Sequence, residues 1–357
     1  MSMSLPTALS DRPRDHAAPV SCSTVDTLVR QTAADHYLTV PGEDRPVFEG
    51  VFDVTALEPG LIAHRIDVRD VQGSTVRATL KPALRLGFTI GGYANMAIAC
   101  RALPTGPGRG APITAWMMAL HEPATFSRQS RRGDVERTVD LAFGATWLAD
   151  HFGDDSAIVA FARTHLATRT WTPSAQALAN VEQMLRPPAL DAATTRLYLR
   201  SRAFDLLVEA ASQLGQASDT SLQAGSGLGK RDWLRMRSVR DLLESGAADH
   251  MSLEQIALQA CVSANTLQRH FRAAWGCTVF EFLREARMQR ARVALERDGV
   301  TVAQAAWLAG YNSPANFATA FRRHYGVSPG QLRAHLGGAE AGAPGRSRSA
   351  GAGGAPA

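Results

Sequence analysis

The 357-residue sequence is poor in cysteine and in long apolar runs, and both shortages exclude whole classes of protein. No stretch approaches the about 20 consecutive apolar residues that a membrane-spanning helix requires. The first residues lack the apolar core of a secretory signal. The four cysteines show no CxxC spacing, which argues against a zinc ribbon or a disulfide framework. We therefore expect a cytoplasmic protein whose thiols are reduced.

The sequence also lacks the patterns that mark common catalytic sites. It contains no GxSxG motif, no phosphate-binding loop and no dinucleotide fingerprint. No His-x-His pair occurs, and His36, His64 and His121 stand alone, which is typical of structural or surface histidines. We expect no enzyme, no metal site and no cofactor.

What the chain does contain is an ordinary globular composition with a basic balance. Hydrophobic residues make up 45% and charged residues 20%, and the length allows two domains. The net charge of +5 suits a polyanionic partner but does not by itself identify one.

One segment near the C-terminus occurs twice. Residues 252–276 and 301–326 align with an offset of 49 that becomes 50 after one inserted residue. Gln255 matches Gln304 before the insertion, and Phe271 matches Phe321 after it. Such a repeat predicts two copies of one structural device.

Each copy follows the logic of a helix-turn-helix unit. Ser252 and Thr301 can cap a short first helix with their side-chain oxygens. Gly310 suits the positive φ of a tight turn, and Gly276 and Gly326 stand where helix C-caps are expected. In the second helix of each copy, apolar residues four apart form one face and polar residues the other. Two ordinary helical hairpins would be the simpler alternative, but the shared spacing argues against them.

These residues resemble the AraC/XylS family of transcriptional regulators. The resemblance covers about the last third of the chain before its tail, and it implies two helix-turn-helix units joined by a helix from Val279 to Leu295. Ala305, Thr319 and Leu332 depart from the family pattern, and Thr319 weakens the expectation of base reading by the second unit.

The resemblance implies double-stranded promoter DNA with direct-repeat elements and RNA polymerase as partners. In the first unit it places amide and guanidinium groups, which can read purine edges, toward the major groove. In the second unit the groove-facing side chains are short, and the arginines suit phosphates. The implied DNA-binding residues are Asn265, Gln268, Arg269, Arg272, Ser313, Asn316, Thr319, Arg322 and Arg323.

The N-terminal part has the sequence pattern of a β protein. Short runs rich in β-branched and aromatic residues alternate with turn residues, which predicts a sandwich or a barrel. The resemblance implies a cupin-like effector-binding barrel. The predicted strands are Val47 to Val54, Leu61 to Val71, Leu84 to Ile90, Ile113 to Leu120 and Val135 to Phe143.

Helical patterns follow the strands. They span Ala145 to Leu166, Pro173 to Leu185 and Leu190 to Leu214. The last has an apolar stripe of Leu197, Leu199, Phe204, Leu207, Val208, Ala211 and Leu214. The stripe either packs on the barrel or, as in family members that pair through such helices, makes a homodimer.

The fold class expected is α+β, with a cupin-like β-barrel and flanking helices followed by an all-α domain with two helix-turn-helix units. We expect a flexible leader (1–22), an effector-binding and dimerisation domain (23–215), a linker (216–230), a DNA-binding domain (231–336) and a disordered tail (337–357).

Two segments resemble regulators of siderophore systems, such as the pyochelin and alcaligin regulators. They are Arg196 to Ser212 and Ala315 to Pro329. The function expected is therefore a ligand-responsive activator, with a ferric siderophore as effector and iron-uptake genes as targets. The candidate effector-binding residues are Arg65, Arg85 and Trp116, which suit an anionic aromatic ligand. Regulation of catabolic genes by a sugar or an aromatic acid stays open, as does a DNA alkylation-repair protein with a related helix-turn-helix domain.

Overall fold

A computed structural model describes residues 18–40, 45–93, 95–99, 101–104, 106, 112–215, 228–325 and 327–333. Most of the predicted leader and linker and the whole predicted tail lie outside the described residues. The chain divides into two compact units, Met1–Ala286 and Arg287–Ala357. This boundary falls inside the helix predicted to join the two helix-turn-helix units, so the domain boundaries expected from the sequence stay a prediction.

The described part of the first unit begins with strands and continues with helices. Its strands are β1 (Pro19–Val20), β2 (Ala33–Thr39), β3 (Phe48–Glu58), β4 (Leu61–Asp70), β5 (Thr75–Leu80), β6 (Ala83–Gly92), β7 (Asn95–Ile98), β8 (Arg101–Ala102), β9 (Ala115–Leu120), β10 (Ala124–Gln129), β11 (Val135–Phe143) and β12 (Thr168–Trp171). The helices of the chain are α1 (Cys22–Val29), α2 (Ala145–Phe152), α3 (Ala157–Ala162), α4 (Ala175–Leu185), α5 (Ala192–Gly215), α6 (Lys230–Ser245), α7 (Leu253–Gln259), α8 (Ala264–Trp275), α9 (Val279–Arg297), α10 (Val302–Leu308) and α11 (Pro314–Tyr325).

The strands lie in two antiparallel sheets. The seven-stranded sheet has the order β1-β3-β4-β11-β6-β9-β12, and the five-stranded sheet has the order β2-β5-β10-β7-β8. Within the described residues the strands therefore form two sheets rather than the closed barrel that the family resemblance implied. The mixed character is confirmed, with a sheet-rich N-terminal region and a helical C-terminal region, while the cupin-like label stays a prediction.

The seven-stranded sheet is covered on both faces. Leu84, Leu86 and Phe88 alternate along β6 and pack with Trp147 and Leu207 from the helices. The intervening side chains of β6 face the five-stranded sheet, because successive residues of a strand point to opposite faces. The sheet is therefore a middle layer between the helices α2 to α5 and the second sheet.

Two helical predictions need correction. The pattern from Ala145 to Leu166 is not one helix, because Gly153 adopts a φ of 76° and separates α2 from α3. In α5, Leu199 and Leu207 are buried as expected, but Leu197 and Val208 are 58% and 66% exposed. The predicted stripe therefore mixes two faces of this helix.

The remaining helices form two small cores. Met236, Ile256, Leu267, Phe271 and Trp275 belong to the first, inside the first unit. The second core lies in the second unit and contains Met288, Ala306, Phe317, Phe321 and Tyr325. Within the described ranges, the chain has no helix with the length and apolar content that crossing a bilayer would take.

Candidate nucleic-acid interface and effector cavity

The first helix-turn-helix unit is built from α7, a short turn and α8. Ser252 accepts a hydrogen bond from the backbone N–H of Gln255, and the Gln255 side chain accepts one from the backbone of Ser252. This capping box satisfies backbone donors at the start of α7. The turn contains Cys261 at a φ of 52°, and Ser263 then caps α8. Local hydrogen bonds thus fix both ends of the turn.

Helix α8 buries one side and exposes the other. Leu267 and Phe271 are fully buried, and the helix ends at Gly276, which is left-handed with a φ of 77°. The side chains of Asn265, Arg269 and Arg272 are exposed, as the sequence predicted.

Gln268 departs from this pattern. Its side chain is half-buried, and its Oε1 atom is buried without a hydrogen-bond partner in the described part of the chain. The exposed groups of α8 are an amide and two guanidinium groups, which can pair with purine edges or phosphates.

The second unit repeats the same construction. Thr301 and Gln304 form a capping box at α10, and Gly310 takes a φ of 77° at the position that Cys261 occupies in the first unit. The backbone N–H of Asn316 donates to Oγ of Ser313 at 3.4 Å, as a cap of α11. The predicted cap glycine Gly326 lies outside the described residues.

Helix α11 exposes a face with shorter side chains. Asn316, Thr319, Arg322 and Arg323 are exposed, and Ser313 is half-buried. Oγ1 of Thr319 donates to the carbonyl of Ala315 at 3.1 Å, within the helix itself. Thr319 is therefore already engaged, which leaves Asn316 as the exposed amide and the two arginines as the exposed cations of this face.

A cavity of about 100 Å³ lies between the two sheets. Most of its wall is apolar, with contributions from Val25, Phe52, Met96 and Phe126. Polar side chains line one part of the wall, and they come mainly from the seven-stranded sheet. A largely apolar cavity with a few converging polar groups is the usual form of a small-molecule site.

Arg85, Asp140 and His64 form the charged part of this wall. Nη1 of Arg85 donates to Oδ1 of Asp140 at 2.9 Å. Burial raises the pKa of Asp140 to about 6, although the charge and hydrogen bond of Arg85 oppose this shift. Burial, with a smaller effect of the Arg85 charge, lowers the pKa of His64 to about 3. His64 is therefore neutral near pH 7.

Two of the three candidate effector residues lie in this wall. Arg85 and Trp116 line the cavity. Arg65 does not, because its guanidinium pairs with Asp53 at 2.9 Å and donates to the carbonyl of Met184, on the helix-covered face of the sheet.

Sequence reasoning missed four ionisable residues of the cavity wall. They are His64, Arg128, Glu136 and Asp140. A signal for two of them was present, because Glu136, Thr138 and Asp140 alternate along one strand and so share a face. Three polar residues on one buried face of a strand indicate a lined cavity or a buried network. Across the described ranges, no group of three or more metal-ligating side chains comes together.

The sheet-rich region contacts the first helix-turn-helix unit and the helices α6 and α9 that flank it. Arg77 of β5 pairs with Glu285 of α9 at 3.0 Å, and Glu122 after β9 pairs with Arg240 of α6 at 2.5 Å. The ring of His165 lies 5.5 Å from that of Trp233 and 5.3 Å from that of Trp275, between ring centroids.

Gly276 makes a close approach within this contact. A Cβ atom on Gly276 would lie 2.2 Å from the carbonyl oxygen of Ala99. The C-terminal end of α8 therefore lies directly against the end of β7.

Comparisons with known proteins match the two parts of the chain separately. The family described as "Regulatory protein PchR N-terminal domain" matches residues 49–227, and a helix-turn-helix domain matches residues 256–335. The HTH-type transcriptional regulator GlxA of Rhizobium meliloti is 31% identical over 100 residues, which cover 28% of this chain and 31% of that protein. The HTH-type transcriptional activator RhaS of Escherichia coli is 31% identical over 99 residues, which cover 28% of this chain and 36% of that protein.

The chain thus spans about a third of the length of these curated relatives. Among solved structures, ToxT from Vibrio cholerae matches 79% of this chain and 100% of that chain, with 10% identity and a TM-score of 0.35.

Proposed function

This chain belongs to the family of regulatory proteins that carry the PchR N-terminal domain, and we propose that it is an AraC-type transcription regulator that binds specific DNA sequences in response to a small molecule. The observation that carries the proposal is the duplicated unit, in which α8 and α11 each bury an apolar face and expose amide and guanidinium groups. A helix of this kind fits the major groove, where its side chains reach base edges.

The two units make different contacts with the DNA. Arg269 and Asn265 on α8 read bases, with Gln268 as a further contact if its side chain turns outward. Asn316 and Ser313 on α11 contribute weaker reading with Thr319, while Arg272, Arg322 and Arg323 bind phosphates. Because one unit occurs twice in a single chain, the target site contains direct rather than inverted repeats.

The small molecule binds in the cavity between the two sheets. The family match over residues 49–227 and the resemblance of helix α5 to regulators of siderophore systems support a ferric siderophore as this effector. On this proposal the protein activates iron-uptake genes through RNA polymerase. Leu197 and Val208 support pairing of two copies, because they are exposed and 11 residues apart, which places them on one face of α5.

DNA retention by the full chain tests this function. A fragment from the promoter region should be bound more tightly than a scrambled fragment, with an affinity that falls as salt rises. Arg269→Ala should weaken specific binding by about 1–3 kcal/mol. Arg163→Ala is the matched control, because Arg163 is an exposed arginine that pairs with Asp154 in the sheet-rich region.

The same assay with a ferric siderophore present tests the response, since a ligand changes DNA affinity only when it favours one arrangement of the protein. Equal binding of specific and scrambled DNA would contradict the regulator proposal. An unchanged affinity with every siderophore would contradict the choice of effector alone.

A further inference from the structure

One row of side chains crosses four strands of the cavity wall. His64 of β4 pairs in register with Asp140 of β11, Asp140 pairs with Gly87 of β6, and Gly87 pairs with Trp116 of β9. These residues point to the same face of the sheet because paired residues of neighbouring strands share a face. Arg85 stands two residues before Gly87 on β6, so its side chain points to the same face and lies beside the row.

The glycine in this row leaves the space that the Trp116 ring fills. A Cβ atom on Gly87 would lie 2.2 Å from Cε2 and 2.4 Å from Nε1 of Trp116. The indole ring therefore lies directly over Gly87, toward the strand that carries Asp140. Any other residue at this position would push the ring away from the sheet.

Three nitrogen atoms around this row are buried without a partner in the part of the chain that the structure describes. They are Nε of Arg85, Nε1 of Trp116 and Nε2 of His64. The side chains of Arg85 and Trp116 are only 4% and 3% exposed. A buried donor without an acceptor is costly, and native proteins rarely keep one without a reason. Both Nε of Arg85 and Nε1 of Trp116 are donors, so the cavity lacks an acceptor at this place.

We infer that the cavity binds a ring-sized apolar molecule that carries one anionic oxygen group, a carboxylate or a phenolate, which accepts hydrogen bonds from Arg85 and Trp116. This inference rests on the proposed function and specifies the chemistry of its effector site. The volume of about 100 Å³ limits the occupant to at most one ring, since an apolar cavity of about 150 Å³ holds benzene. A free aromatic acid and an aryl arm of a siderophore share this chemistry.

The remaining wall argues against a sugar. A sugar has several hydroxyl groups, and each one needs a polar partner when it is buried. The cavity offers few, because Arg85 and Asp140 already pair, and Arg128 donates to Glu136 at 2.7 Å. Oε1 of Glu136 is buried without a partner among the described residues, and a single hydroxyl on the ring would supply the donor it lacks.

Calorimetric titration of the full chain with benzoate and with benzyl alcohol tests the inference without any mutation. The two probes share a ring, but only benzoate carries an anionic acceptor. Benzoate should bind at least about tenfold more tightly, because a hydrogen bond to a charged group contributes more than a neutral one. Equal affinities of the two probes would overturn the inference.

Two variants locate the binding. Trp116→Phe removes the indole N–H and should weaken benzoate binding by about three- to tenfold. Arg85→Gln combined with Asp140→Asn removes the anchor without leaving an unpaired buried charge, and it should abolish the preference for benzoate. The matched control is Arg65→Gln with Asp53→Asn, which changes the same kind of pair on the opposite face of the sheet.

If the double variant of Arg85 and Asp140 does not fold, Trp116→Phe and the comparison of benzoate with benzyl alcohol still test the inference. Unchanged benzoate affinity in a folded cavity variant would overturn the inference. A ferric siderophore with a hydroxyphenyl arm should displace benzoate if that arm is the natural occupant. Benzoate binding that persists beside it supports a free acid instead.

Specific DNA retention is measured on the same preparations, so the two proposals fail separately. A chain that binds specific DNA but discriminates no probe would lose this inference and keep the regulator function. A chain that discriminates the probes but binds no specific DNA would lose the regulator function and keep the site.

Discussion

His165 is the buried histidine at the contact between the sheet region and the first helix-turn-helix unit. Its Nδ1 atom accepts a hydrogen bond from the backbone N–H of Glu122 at 3.2 Å, so the ring carries its proton on Nε2. Burial is the largest cause that lowers the pKa of His165 from 6.5 to about 3. The charges of His121, Arg240 and Arg101 lower this pKa further. The native protein therefore requires a neutral imidazole here.

Because the pKa of His165 is lowered by folding, its contribution to stability is present above pH 6.5 and is lost as the pH falls toward about 3. We expect the free energy of unfolding to fall by up to about 1.4 kcal/mol per pH unit for this residue. His165→Asn keeps an acceptor near Nδ1 and should remove this part of the slope. Urea unfolding between pH 7.5 and 5.5 measures it, and identical slopes in both proteins would contradict the assignment. The opposing titration of Asp140 is common to both and cancels.

At the scale of the element, the two helix-turn-helix turns share a conformation but not a residue type. Cys261 has a φ of 52° and Gly310 a φ of 77° at equivalent positions. A left-handed residue with a Cβ costs about 1–2 kcal/mol, and part of this is returned by the greater freedom of glycine in the unfolded chain. Cys261→Gly should therefore stabilise the protein by up to about 1 kcal/mol in thermal or urea unfolding.

Gly310→Ala should destabilise the protein. The loss of stability should exceed the cost of placing an alanine in a left-handed backbone conformation. Its Cβ atom would lie 3.0 Å from Nη1 of Arg287, whereas a Cβ on Gly153, at a φ of 76°, would meet nothing within 4 Å. Gly153→Ala thus measures the backbone cost by itself. A smaller loss for Gly310→Ala than for Gly153→Ala would show that the Arg287 contact does not matter.

The elements that sequence reasoning found are those whose signal is local. The strand predicted from Val135 to Phe143 has the same bounds in β11, whereas the helix from Val279 to Leu295, which is α9 (Val279–Arg297), was implied by the family resemblance. The capping residues Ser252 and Thr301 were also found, because a cap depends on neighbours three residues away. Strands such as β5 and β10 were missed, since they are short and partly polar, and their stability comes from pairing with each other across the chain.

At the scale of the whole first unit, β5 joins the cavity to the contact with α9. Val76 and Ala78 line the cavity, and Arg77 between them pairs with Glu285. On the proposed function, a ligand that shifts β5 acts on the first helix-turn-helix unit through this pair. Arg77→Glu should therefore abolish the effect of ligand on DNA affinity while both bindings persist.

Arg77→Glu combined with Glu285→Arg restores the pair with reversed charges and should restore the response. Arg163→Gln with Asp154→Asn is the control, because that exposed pair lies away from this contact. DNA retention with and without ligand measures the effect. A full response in the single Arg77 variant would show that the signal takes another route.

The position of the candidate site could be predicted only in part, because it depends on how the two sheets and the helices pack together in the whole first unit. Alternation along a strand shows that His64 and Arg65 point to opposite faces, but it does not show which face holds the cavity. Both faces of the seven-stranded sheet are covered, by helices and by the second sheet, so burial patterns on its strands look alike. The alternation therefore does not distinguish Arg65 from His64 as the cavity residue.

Gly87 also limits how the specificity of this protein can change under mutation. The indole of Trp116 occupies the place that a Cβ would take at residue 87. Every substitution there would therefore displace the ring, however small the new side chain is. Met96 and Phe126 on the facing sheet line the same cavity with side chains of their own. A library intended to turn the protein into a sensor for other molecules should therefore keep residue 87 constant and vary the opposite wall.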